Sequence, residues 1–138
     1  MYYKAKYLVT TTALKGPTVL IFSNESEIAS LYGMHLTDRF FTVVFCEDVS
    51  KLVSTIHEQN PAVVLLHLSD NVDSLLRKLS SFRRTYPDLP IVTVGLSLSE
   101  ESMKAVMRLR GAGHINREYS KPKDIVVLLE QIISQNNK

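Results

Sequence analysis

A histidine stands near the end of the run "AVVLLHLSD" at residues 62–70, where five apolar residues lead into His67. An imidazole at that place can accept a phosphoryl group, ligate a metal or change charge near neutral pH. The plainer reading is a partly buried histidine hydrogen-bonded to a neighbouring loop. Metal ligation has little support, because His35, His57 and His114 have no cysteine or carboxylate at ligand intervals. Cys46, the single cysteine, is followed by Glu47 and Asp48. Two adjacent acids raise a thiol pKa, the wrong direction for a nucleophile, so Cys46 reads as structural. Glu25, Glu27, Asp70 and Asp73 could gather a carboxylate site from the loops. Each also falls in the first turn of an expected helix, where capping and the helix dipole favour acids, and that reading is the stronger. No nucleophile–base pair or Gly-rich phosphate loop is recognisable, so neither an enzyme nor a resident cofactor or metal is expected.

The elements that must position these residues alternate in kind. "TVLIF" (18–22), "FFTVVF" (40–45), "AVVLLHL" (62–68) and "IVTVGL" (91–96) are short, continuous and rich in β-branched residues. Continuous apolarity marks strands covered on both faces, as in parallel sheets. Helical stripes lie between them: Ile28, Leu31 and Tyr32; Leu52, Val53 and Ile56; Val72, Leu75, Leu76 and Leu79; Met103, Val106 and Met107; and Ile125, Leu128, Leu129 and Ile132. Asp48, Asp70 or Asn71, Ser97 with Glu100, and Ser120 with Pro122 supply start signals. A fifth strand is required between Gly113 and Pro122, and its weak propensity suits a sheet edge. The expected fold is α/β: a flavodoxin-like, doubly wound, five-stranded parallel sheet in the order 2-1-3-4-5, with helices on both faces. Residues 17–138 form this domain, and residues 1–16 an N-terminal extension, either an edge strand or a tail.

The 138 residues suffice for one domain with its own core, and the formal charge of +2 is too small to argue for nucleic acid or a membrane surface. No apolar run approaches the ~20 residues of a membrane span, and the start lacks the apolar core of a signal peptide. A lone cysteine suits a reducing compartment, and a cytoplasmic location is expected.

Several stretches resemble the receiver domain of two-component response regulators. "TVLIFSNES" stands where receivers have a strand ending in an acidic pair, and "PAVVLLHLSD" where they have the phospho-accepting aspartate. "LLRKLSSFRRTYPDLPIVTVGL" looks like their third helix, its Pro-Asp-x-Pro exit and their fourth strand. "RGAGHI" resembles their Gly-Ala turn, and "SKPKDIVVLLEQI" the Lys-Pro start of their last helix. Carried over by position, the acidic pair falls on Ser23 and Asn24, the aspartate on His67, the switch Ser/Thr on Gly95 and the switch aromatic on Ile115. The lysine survives as Lys121, although "GAGHINREYSKP" holds about three residues more than the usual turn and could place Glu118 there instead. Receivers also hold the bond before this proline cis, which the resemblance implies for Lys121–Pro122.

These departures imply a pseudo-receiver. Magnesium wants carboxylate oxygens, and Ser23 and Asn24 offer only neutral ones. Without an aspartate at position 67 no acyl phosphate can form, so regulation would run through protein contact. Lys104, Arg108, Arg110, Arg117, Lys121 and Lys123 cluster from the fourth helix to the start of the fifth, the face through which receivers commonly dimerise or meet partners. An acidic protein partner or a homodimer is therefore expected there, and nucleic acid is not, for want of a stacking set. Arg77, Lys78, Arg83 and Arg84 read as solvated surface. The alternative function is a domain that senses a small ligand or anion in the former phosphorylation pocket, with Ser23, Asn24, Ser69 and Lys121 as donors.

Overall fold

The computed structural model describes residues 16–68, 79, 82–95, 99–108, 113–116 and 121–136. Strands β1 (Thr18–Phe22), β2 (Thr42–Cys46), β3 (Val63–Leu68), β4 (Ile91–Gly95) and β5 (Gly113–Asn116) alternate with helices α1 (Ser26–Asp38), α2 (Leu52–Gln59), α3 (Phe82–Thr85), α4 (Glu100–Arg108) and α5 (Pro122–Asn136). The strands pair in parallel in the order β2-β1-β3-β4-β5.

All six residues of β3 and all five of β4 are buried, as continuous apolarity requires of strands covered on two faces. Alternation along each strand divides the interior in two. Val19, Ile21, Val63, Leu65, Val92 and Val94 meet α1 and α5 through Tyr32, Leu36, Ile125 and Leu129. Leu20, Phe22, Val64, Leu66 and Ile91 meet the other helices through Leu52, Ile56, Leu79 and Val106. Odd-numbered positions of β1 and β3 therefore face α1 and α5, a parity that fixes where Ser23 and His67 point.

The helix stripes are narrower than the sequence suggested. Leu31, Val53 and Met107, each expected to face the core, are 40%, 43% and 70% exposed. A buried arc of about 100° holds only part of each stripe, and these residues fall just outside it. Leu79 is buried as expected, whereas Val72, Leu75 and Leu76 lie outside the described residues, as do residues 1–15 of the extension.

The second strand begins two residues later than expected because Phe40 and Phe41 finish α1. Phe40 donates its N–H to the Thr37 carbonyl and Phe41 to that of Leu36, a Schellman closure with Phe40 at φ 66°. Glycine usually fills that left-handed position, but here it carries a phenylalanine that is 63% exposed.

Arg83 is also a correction. It is buried, and one of its terminal nitrogens donates to the carbonyls of Tyr86, Pro87 and Leu89 at 2.9, 3.4 and 2.7 Å. The turn "YPDLP" contains two prolines, which have no N–H to offer neighbouring carbonyls, and a guanidinium supplies the missing donors. Arg84 is exposed, as expected of both.

Candidate functional site

The register of β1 and β3 pairs Val19 with Val63 and ends with Phe22 opposite Leu66. One step further sets Ser23 beside His67, both at odd positions on the α1 side. The Ser23 hydroxyl lies 3.0 Å from His67 Nδ1. His67 is 2% exposed and Ser23 4%, so the contact is enclosed at the carboxyl end of the sheet.

Glu25 completes the arrangement, and the sequence reading missed it. Its backbone N–H donates to Ser23 Oγ at 3.0 Å, and its carbonyl lies 3.2 Å from the same hydroxyl. It occupies the N-cap position of α1 but makes no side-chain capping bond there. The carboxylate instead lies 3.6 Å from His67 Nδ1, so the capping reading of Glu25 is wrong. The signal was available in the spacing: a residue two beyond Ser23 follows the turn that brings the chain back over the strand end.

A serine hydroxyl beside an imidazole invites comparison with a nucleophile and its base. In a catalytic triad the acid holds one ring nitrogen and the hydroxyl the other. Here both Glu25 and Ser23 approach Nδ1, and Ser23 Oγ already accepts a backbone N–H. The hydroxyl can serve either tautomer of the ring. With Nδ1 bare, the serine donates to it; with Nδ1 protonated, the ring donates to the serine, whose proton can turn to the Glu25 carbonyl.

Asn24 is exposed between these two residues. Gly95 ends β4 opposite Leu68, and a Cβ there would lie 2.8 Å from the Leu68 carbonyl oxygen. The close approach of the two strands at this pair leaves no room for a side chain without a shift of backbone. Lys121 is exposed, and its backbone N–H donates to the Asp124 carboxylate at 3.2 Å, a cap for α5. The described residues contain no cis peptide, so the Lys121–Pro122 bond is trans, against the expectation carried by the resemblance. Glu118 lies outside the described residues, and Ile115 is described in its backbone alone.

Cys46 ends β2 with its thiol donating to the Asp48 carbonyl at 3.3 Å. Burial pushes the thiol above its usual pKa, with smaller contributions in the same direction from Asp48 and Glu47. The sequence named only the two acids; desolvation is the larger cause. Among the described residues no cluster of three or more histidine, cysteine or acidic side chains could hold a metal ion.

Of the basic surface, Lys104 and Lys123 are exposed, and Lys104 lies 3.8 Å from Glu100 in an i,i+4 pair. Arg108 ends α4 but its side chain is not described, and Arg110 and Arg117 lie outside the described residues.

No family model matches the chain, and no curated protein sequence does. Solved structures do. HP1043, an orphan response regulator of H. pylori, is 13% identical with a TM-score of 0.72, over 86% of this chain and 97% of its own. The chemotaxis protein CheY4 of Vibrio cholerae is 15% identical with a TM-score of 0.73, over 84% of this chain and 98% of its own. NtrX from Brucella abortus, in a complex with ATP, is 19% identical with a TM-score of 0.73, over 88% of this chain but 27% of its own. At these identities the likeness is one of fold: the chain has the parallel α/β architecture of response-regulator receiver domains.

Proposed function

We propose that this chain is a receiver-like regulatory module that acts through protein contact, without phosphorylation at its own strand ends. One observation carries the reading: Ser23 Oγ and His67 Nδ1 sit 3.0 Å apart and are buried. The resemblance matches these positions to an acidic residue and the phospho-accepting aspartate. Both side chains are engaged with each other, and neither offers the carboxylate oxygens that magnesium prefers. Gly95, with no hydroxyl and no room for one, and the exposed Lys121 support the same reading. The test is intact mass after incubation with acetyl phosphate and magnesium. No added phosphoryl group is expected; an adduct that disappears in His67→Ala would overturn the reading.

Partner contact is assigned to α4, β5 and the start of α5. Met107, 70% exposed, follows Lys104 by one helical turn, so an apolar residue lies near a basic one on α4. That combination suits an acidic partner with an apolar anchor, or a second copy of the chain. Charge at such a rim governs the speed and salt dependence of association more than its strength. Lys104→Glu with Arg108→Glu should weaken the complex most at low salt; unchanged binding and unchanged salt dependence would remove this face.

A further inference from the structure

At the opposite end of the sheet a groove of about 420 Å³ opens between the C-terminal end of α2, the turn after α3 and the last part of α5. Asn60, Pro61, Tyr86, Pro87, Asp88 and Ile133 are among its lining residues. Three structural features bear on what fills it.

The first is where β1 begins. The Ala62 N–H donates to the Thr18 carbonyl at 2.8 Å, so β1 starts beside the wall of the groove. Gly16 and Pro17 are fixed just before it, since Thr42 donates through Oγ1 to the Gly16 carbonyl at 3.2 Å and through its N–H to that of Pro17 at 2.9 Å. A Cβ at Gly16 would overlap the Phe40 carbonyl oxygen, so only glycine passes here. The fifteen residues before Gly16 therefore set out from the same edge.

Reach and chemistry follow. Tyr7 is separated from Gly16 by eight residues, which span roughly 26 Å when extended. That is several times the ~4.8 Å spacing between neighbouring strands. The segment carries Tyr2, Tyr3, Tyr7 and Leu8 for an apolar wall, and Lys4, Lys6 and Lys15 with no acid. The groove offers proline and tyrosine surfaces and one carboxylate, the exposed Asp88. Rings of this kind pack against such surfaces while their hydroxyls stay wet. The third feature is rigidity. Arg83 holds the carbonyls of Tyr86, Pro87 and Leu89, and Asn60 is set in the left-handed region at φ 47°. A wall fixed in advance lowers the ordering cost of an occupant.

We propose that residues 1–15 of this chain seat in the groove, with a tyrosine among Pro61, Tyr86 and Pro87 and a lysine beside Asp88. The segment is then a strap across the amino end of the sheet, distant from the Ser23–His67 contact and independent of the reading proposed for it.

The test uses the full chain. Replacing Tyr2, Tyr3 and Tyr7 with serine should move the backbone amide resonances of Asn60, Ala62, Tyr86, Asp88 and Leu89 and leave those of Val19 to Ile21 in place. In a second measurement, trypsin should cut after Lys4 and Lys6 about tenfold faster in Tyr86→Ala than in the unaltered chain, because cleavage tracks the released fraction and loss of an aromatic anchor is costly. Asp88→Lys, a surface change that spares the fold, should accelerate the same cuts. Groove amides that ignore the tyrosine substitutions, or cutting rates that ignore both groove substitutions, would overturn the proposal. Groove resonances that move with protein concentration would assign it to a second copy and overturn it equally.

Discussion

At the carboxyl end of the sheet one serine hydroxyl meets one buried imidazole, whereas near its amino end one buried guanidinium serves three carbonyls. The first pair can exchange roles as a proton comes and goes, with a carboxylate 3.6 Å away. The second cannot, because a guanidinium keeps its charge at any ordinary pH. The comparison shows that a backbone short of N–H donors, as at Pro87 and Pro90, calls for a permanent donor. A strand end already closed by a turn can accept an adaptable one.

Breaking the permanent donor should cost most. Arg83→Met leaves three carbonyls without it and should destabilise the fold by about 3 kcal/mol in urea unfolding. Arg84→Met, on the exposed neighbour, should stay within ~0.5 kcal/mol. Equal effects at the two positions would show that the carbonyl clamp contributes nothing. The adaptable pair should cost less: Ser23→Ala should lose roughly 1–2 kcal/mol by leaving the Glu25 N–H and the ring without their shared partner. A double-mutant cycle with His67→Ala isolates the pair, and additive losses would mean that the 3.0 Å contact carries no energy.

Phe40 sharpens the contrast from the other side, since its φ of 66° is strain and not a bond. Phe40→Gly should gain up to about 1 kcal/mol, read as a higher melting temperature, because glycine holds the left-handed closure without a Cβ penalty. The smallest effect concerns Cys46. Its thiol pKa is raised above the usual 9.0 mainly by burial, so the folded state binds the proton more tightly than the unfolded chain does. That contribution is full below the unfolded pKa and is lost as pH rises through the folded one. Between neutral pH and about pH 10, Cys46→Ala should flatten the alkaline fall in stability; an unaltered slope would place the titration elsewhere.

Much of the fold was legible because parallel strands buried on both faces write themselves as unbroken apolar runs, and β1, β3 and β4 match theirs closely. The start of β2 was misplaced because Phe40 and Phe41 look like strand residues, yet serve a helix closure that normally advertises itself with glycine. Arg83 was read as solvated, since nothing in "SFRRTYPDLP" says which arginine turns inward. The demand comes from carbonyls that only the folded turn brings together. At the candidate site, Ser23 and His67 were found by position, while their direct contact needed the register. Glu25 was misassigned because an acid at a helix start has a ready local explanation, and the long-range one lies 42 positions away at His67.

The central place of β3 has a consequence in time. With β1 on one side, β4 on the other and all six residues buried, its amides can exchange with solvent only when large parts of the domain open together. They should be among the slowest amides to exchange in the chain, near the global limit. His67 rides on that strand, so its backbone amide shares that slow exchange, while its ring keeps the half-exposed Glu25 carboxylate 3.6 Å away. The exchange rate of the His67 amide would then measure how often the end of the sheet breathes.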